Sequence, residues 1–131
     1  MDTNKMRDLK VLAEALPKQF WEAAHPNVGG RGWEVKAGID QVAADLTEAR
    51  AAFIAAADPV TVLALLDEID QIKDENETLR SAALAAGEFI MHEAEVRGLL
   101  DDKGQVSHRH PRRQQAIARI EEALAKEASH D

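Results

Sequence analysis

His92, His108 and His110, together with Asp101 and Asp102, are the side chains whose types could bind a metal, an imidazole and carboxylate set of the kind that suits zinc or nickel. Their spacing matches no known site, and His92-Glu93 lacks the second histidine that makes a zincin helix. The histidines are therefore expected to be loop residues, with no metal held. Gly29-Gly30-Arg31-Gly32 has the glycine content of a phosphate-binding turn but neither the Lys-Ser/Thr ending nor the preceding strand. Ser81, Ser107 and Ser129 do not sit in a nucleophile elbow, and no histidine-acid arrangement accompanies them. The chain has no cysteine, so it has no thiolate zinc site, no cysteine nucleophile and no disulfide framework. These absences point away from an enzyme and away from a cofactor.

Charge is the second chemical signal. The formal net charge of -8 disfavours general attraction to a phosphate backbone or an anionic membrane, so nucleic acid is not the expected partner. Asp67, Glu68, Asp70, Asp74, Glu75 and Glu77 form an acidic run with few bases beside it, which reads first as a solvated helix face. Residues 107 to 119 invert the pattern, with Arg109, Arg112, Arg113 and Arg119 and no acid. Arginines in a helix's first turn oppose its dipole and call for solvent screening or an acidic partner surface. Three readings follow: salt bridges to the acidic helix of the same or a neighbouring chain, a phosphate contact through Arg109, Arg112 and Arg113, or simple exposure.

The elements that must position these groups are mostly helical. A composition with 45% apolar residues, much of it alanine, and with only two tryptophans and three phenylalanines, leaves few large core anchors. With 31% charged residues it is the composition of long solvated helices. The 131 residues suit one domain, or a small head with a helical stem, and bury only a modest core unless a partner helps. No segment reaches about 18 uninterrupted apolar residues and Met1-Asp2-Thr3-Asn4-Lys5 has no apolar h-region, so the expectation is a cytoplasmic protein without membrane contact.

The strongest pattern starts at Asp58-Pro59, an N-cap aspartate followed by a proline that has no N–H to lose. Placing Val62, Ile69, Asn76, Ala83 and Ile90 at heptad position a and Leu65, Ile72, Leu79 and Ala86 at d gives a narrow seam that one helix cannot bury alone. The spacing predicts a coiled-coil helix to about Arg97, roughly 58 Å long at 1.5 Å per residue, weakened at Gly87 and closed by Gly98 as C-cap. A buried Asn76 would pair with its copy and set register; surface placement is the alternative, and a helical bundle within one chain competes with the coiled coil. Residues 99–110 form a linker with a turn at Asp101-Asp102-Lys103-Gly104. A last helix from His110-Pro111, with Ala116, Ile117, Ile120, Ala123 and Leu124 on one stripe, is expected to fold back on the long helix.

Residues 1–57 read as a small head. A first helix runs from Thr3 or Asn4, as N-cap, to Leu16, with Met6, Leu9, Leu12, Ala13 and Leu16 on one face, and stops at Pro17. Phe20, Trp21 and a glycine-rich connection from His25 to Gly32 follow. Trp33, Val35 and Ala37 alternate with polar residues, and Ile39, Gln41 and Val42 could return, a small hairpin at best. A helix from Ala43 to Ala57 would present Leu46, Ala49, Phe53 and Ile54 to the core. Trp21 and Trp33 are either head core or exposed anchors for a partner.

At Phe53-Ile54-Ala55-Ala56-Ala57-Asp58-Pro59, continuing through Val62-Leu63-Ala64-Leu65-Leu66-Asp67, the chain resembles the Ead or Ea-twenty-two-like family of tailed-phage early-region proteins. That resemblance implies a step "FIAAANP" into a "VLALLDE" segment and a coiled coil, with a short helix and a tryptophan-containing segment ahead of it, over about residues 6 to 80. Asp58 stands where asparagine is usual, Pro17 to Gly32 lacks the usual threonine-proline-glycine pattern, and the resemblance is not carried by the His-Arg tail. The family carries no established catalytic residues, so the resemblance implies an accessory phage or prophage protein.

The expectation is thus a mainly α chain: a head over 1–57, a coiled-coil helix over 58–98, a linker over 99–110 and a C-terminal helix and tail over 111–131. Its expected function is self-association, first as a homodimer, through Val62, Leu65, Ile69, Ile72, Asn76 and Leu79. A host or phage protein would be held by Trp21, Trp33, Asp70, Asp74, Glu75, Arg109, Arg112 and Arg113. The alternative is an acidic inhibitor that mimics nucleic acid against a host nucleic-acid enzyme or defence complex.

Overall fold

The alternation of Trp33-Glu34-Val35-Lys36-Ala37 becomes the central strand of a three-stranded antiparallel sheet in a computed structural model that describes residues 2–25 and 32–128. The elements run α1 (Thr3–Glu14), β1 (Trp21–Ala24), β2 (Trp33–Ala37), β3 (Asp40–Leu46), α2 (Glu48–Ala56), α3 (Pro59–Val96) and α4 (Pro111–Ala128). The chain divides into two compact units, Met1–Gln71 and Ile72–Asp131. Gly29, Gly30, Arg31 and Ser129, weighed above for chemistry, lie outside the described residues.

In the N-terminal unit β2 pairs with β1 at Trp21↔Ala37 and Ala23↔Val35, and with β3 at Trp33↔Leu46 and Val35↔Ala43. Period-2 geometry then puts Trp21, Ala23, Trp33, Val35 and Ala37 on one face, with Val35 fully buried at its centre. Helix α2 covers that face, meeting all three strands, and its contact residue is the fully buried Ala51. A methyl side chain there lets the helix sit close to the sheet. On the other face the Gln41 amide donates to Glu34 Oε2 at 2.9 Å, and Lys36 Nζ lies 3.3 Å from Glu34 Oε1. The amide bond first, and the ammonium after it, hold the Glu34 carboxyl below its ordinary range.

Several expectations for this unit are corrected. The head is a sheet packed under α2, not a helical head with at most a hairpin, and β1 is a strand that alanine-rich Trp21-Glu22-Ala23-Ala24 does not advertise. Ala43 to Leu46 belong to β3, not to a helix, because their ladder bonds to β2 outweigh alanine's helical preference. The helix instead begins after Thr47, whose Oγ1 accepts from Arg50 N. Phe53, expected in the core, is 74% exposed. In α1 the N-cap is Asp2, whose side chain accepts from Asn4 N at 3.0 Å, not Thr3 or Asn4. That helix stops at Glu14, before Leu16, since a residue preceding proline disfavours helical ψ. Of its expected apolar face only Ala13 is buried.

Two turns hold the sheet. Gly38 at φ +64 and Ile39 close the β2–β3 hairpin as a two-residue loop with glycine first, the arrangement that matches strand twist. Gly32 at φ +72 passes so near β3 that a Cβ would stand 2.7 Å from the Leu46 carbonyl oxygen. Between Trp33 and Val35 the ladder carries a bulge, where Asp45 takes φ +57.

In the C-terminal unit α3 ends in a Schellman cap: Leu99 N–H donates to Ala94 O at 2.8 Å and Gly98 N–H to Glu95 O at 3.1 Å, with Gly98 at φ +69. The expected linker is an ordered loop closed by the Leu100↔Val106 bridge, with Asp101 Oδ1 accepting from Lys103 N and Gln105 N. Gly87 does not interrupt α3; Ile120 of α4 lies over it.

Two glycine substitutions should move stability in opposite directions in urea unfolding. Gly32→Ala is expected to cost about 1–3 kcal/mol, because both φ and the Leu46 carbonyl oppose a side chain. Gly87→Ala should add about 0.5–1 kcal/mol, since its Cβ would meet Ile120 at an ordinary 3.5 Å while helix propensity improves.

Candidate functional site

Asp58 aims the long helix. Its carboxylate is 3% exposed, and both oxygens are used: Thr61 N–H donates to Oδ1 at 2.8 Å and Trp21 N–H to Oδ2 at 3.3 Å. The first bond is the N-cap that the sequence implies, and Val62 N–H donates to the Asp58 carbonyl as the first helical hydrogen bond. The second ties the start of β1 to the start of α3, across a separation of 37 residues that no sequence pattern reports. Chiefly through the Thr61 backbone bond, against the opposing effect of burial, the carboxyl is held below its ordinary value.

From this cap α3 displays its heptad unevenly. Leu66 is buried in the N-terminal unit, whereas its neighbour Leu65 is 55% exposed. Of the other seam residues, Ile72 is 49% and Leu79 67% exposed, Asn76 is exposed, and Val62 and Ile69 are half-buried. Every side chain from Asp70 to Leu79 is exposed, so among the described residues none covers this stretch of helix. Asp67, Glu68, Asp70, Asp74, Glu75 and Glu77 are exposed as well, and among the described residues none makes an ion pair.

Farther along, in the C-terminal unit, the stripe is covered within the chain. Ala94 is fully buried, Ala83 and Ile90 are half-buried, and Leu84, Gly87, Met91, Ile117, Ile120 and Leu124 line a shallow apolar groove between α3 and α4. Glu93, an acid at a d position, is explained by its partners: Arg113 of α4 at 3.3 Å and Arg97 at 3.1 Å. The basic segment therefore does reach the long helix, and among the described residues its ion pair there is from Arg113 to Glu93, not to the acidic run. Arg109 and Arg112 are exposed and make no ion pair among the described residues.

The expected site residues are not gathered in one place. Trp21 and Trp33 are half-buried on the α2-covered face of the sheet, with the His25 ring edge-on to Trp33 at 5.4 Å. The histidines and acids weighed as metal ligands do not converge, and among the described residues no three such side chains could hold an ion. No single helix among the described residues is long and apolar enough to cross a membrane. Sequence reasoning missed the exposed Phe89 and Val96, which fall outside the a and d positions.

The Asp58 carboxylate should be replaceable only at a cost that depends on pH. At pH 7, Asp58→Ala is expected to lose about 2–3 kcal/mol, for the cap and the stranded Trp21 N–H. Asp58→Asn should lose less, because one oxygen can still cap while its NH2 faces the Trp21 donor. A depressed pKa in the folded state contributes stability above the ordinary carboxylate range and loses it as pH falls through the folded value. The gap between wild type and Asp58→Asn should therefore close on acidification below about pH 4, read from urea midpoints across pH.

The family model described as Ead/Ea22-like protein matches residues 18–130. No curated protein and no solved structure matches the chain.

Proposed function

The chain belongs to the Ead/Ea22-like protein family, and from that membership we propose a non-enzymatic accessory protein of a phage or prophage that pairs with itself through α3 and holds a host or phage protein in the bacterial cytoplasm. The observation that carries this reading is the exposure of Leu65, Ile72 and Leu79 at successive d positions of a helix whose side chains from Asp70 to Leu79 are all exposed. These side chains are half to two-thirds exposed, so covering each stabilises by about 0.8–2 kcal/mol. Three from each copy exceed the lower estimates for the cost of association, about 4 kcal/mol, by enough for a dimer that depends on concentration. Trp21 and Trp33 are then part of the head's structure as much as of a partner surface. Light scattering on the wild type should give an oligomer, and Leu65→Asp/Ile72→Asp should give a monomer with unchanged helical circular dichroism. A monomeric wild type at high micromolar concentration would overturn the reading.

A second reading is supported by the exposed, unpaired acids of α3: an inhibitor that lays this face in the basic groove of a host nucleic-acid enzyme or defence complex. It expects binding that weakens steeply with salt and is lost when Asp70, Asp74 and Glu75 are reversed to lysine. A partner held by the sheet unit would tolerate those changes.

A further inference from the structure

Charges flanking the open seam select both the occupant and its direction. With Val62, Ile69 and Asn76 at a and Leu65, Ile72 and Leu79 at d, position g carries Glu68 and Glu75 while position e carries Leu66, Lys73 and Arg80. In a parallel, in-register pair each g residue lies beside the e residue of the following heptad on the other helix. Glu68 then meets Lys73 of the second copy and Glu75 meets Arg80 of the second copy, on both flanks of the seam. An antiparallel pair would set g against g and e against e, carboxylate beside carboxylate and cation beside cation.

The exposures agree with this use. Glu68 and Lys73 are exposed, and neither makes an ion pair among the described residues. Five residues apart, they are not neighbours on one helix, where pairs form at three or four. Asn76 points the same way. In a parallel pair it faces its own copy, and the two carboxamides satisfy each other; in an antiparallel pair it faces an apolar d residue and one amide is left without a partner. Leu66, the first e residue, is buried in its own N-terminal unit, so the charged flank begins where the helix becomes free of cover.

We infer that the occupant of this face is a second copy of the same chain, parallel and in register, fixed by Asn76 on Asn76 and by Glu68 on Lys73 across the pair. The inference rests on the self-association proposed above and adds its geometry. Beyond Leu79 the a positions Ala83 and Ile90 are half-buried, and the exposed apolar side chains include Ala82, Ala86 and Phe89, at g, d and g, with Leu84 and Ala85 also exposed at b and c. The contact line between the two copies steps sideways at that point, as a three-residue shift in a heptad repeat requires.

The test uses sedimentation equilibrium of the full chain. Glu68→Lys alone and Lys73→Glu alone should each weaken the dimer about tenfold, because each turns two symmetric attractions into repulsions. The double variant Glu68→Lys/Lys73→Glu should return to wild-type affinity. A double variant no tighter than the singles would overturn the inference. Because the chain has no cysteine, Leu65→Cys and Leu79→Cys report geometry independently. Two heptads apart, about 21 Å along the helix, both cross-link to themselves in a parallel dimer, whereas an antiparallel one brings only a residue at its symmetry axis into reach. A dimer that cross-links at one position and not the other sinks the parallel arrangement and leaves self-association standing; a monomer in the same runs sinks both.

Discussion

A carboxylate taken out of water must have its oxygens satisfied, and the way Asp58 meets that demand organises the N-terminal unit. One oxygen caps α3 and the other accepts from the first strand, so helix start and sheet edge share a single side chain. The chain turns by 56° between α2 and α3 at this residue. Pro59 makes the turn compatible with an immediate helix, since its missing N–H would have no partner in the first turn. An asparagine, which the family resemblance makes usual here, could serve only one of the two donors with its single oxygen. Aspartate is thus suited to this chain's own contact with Trp21.

The long helix draws on different sources of stability along its length. Near its start Leu66 is buried, and near its end Ala94 is buried and Ile120 lies on Gly87. From Asp70 to Leu79 every side chain is exposed. The helix there rests on its backbone hydrogen bonds, its propensity and the local bond from Thr78 Oγ1 to the Asp74 carbonyl, and a helix of that kind is marginal in water without packing. A sequence that nevertheless keeps large apolar residues at Ile72 and Leu79, with Asn76 between them, has the pattern of a helix covered by another. Glu93 would break a strict coiled-coil seam, and it sits where α4 supplies Arg113, so the departure from the heptad coincides with cover from within the chain.

Much of this was legible without coordinates. The α3 cap, its extent, the Gly98 ending and the fourth helix all follow from local signals: a proline after an N-cap, sustained helical periodicity, and a glycine able to take positive φ. The head was less legible because its residues are small. Alanines at Ala23, Ala24, Ala43 and Ala44 carry little strand preference, and only pairing with β2 commits them to the sheet.

Local chemistry along the chain determined where α3 starts and stops, which residues share its stripe, and the order of charges beside it, because each depends on neighbours within a few residues. Tertiary structure decided which parts of that stripe are covered. It turned Leu66 inward and left Leu65 exposed, it drew Arg113 to Glu93 and not to the acidic run, and it joined Trp21 to Asp58. Those outcomes depend on what lies across space from each side chain, and helical periodicity is the same whether a face meets protein or water.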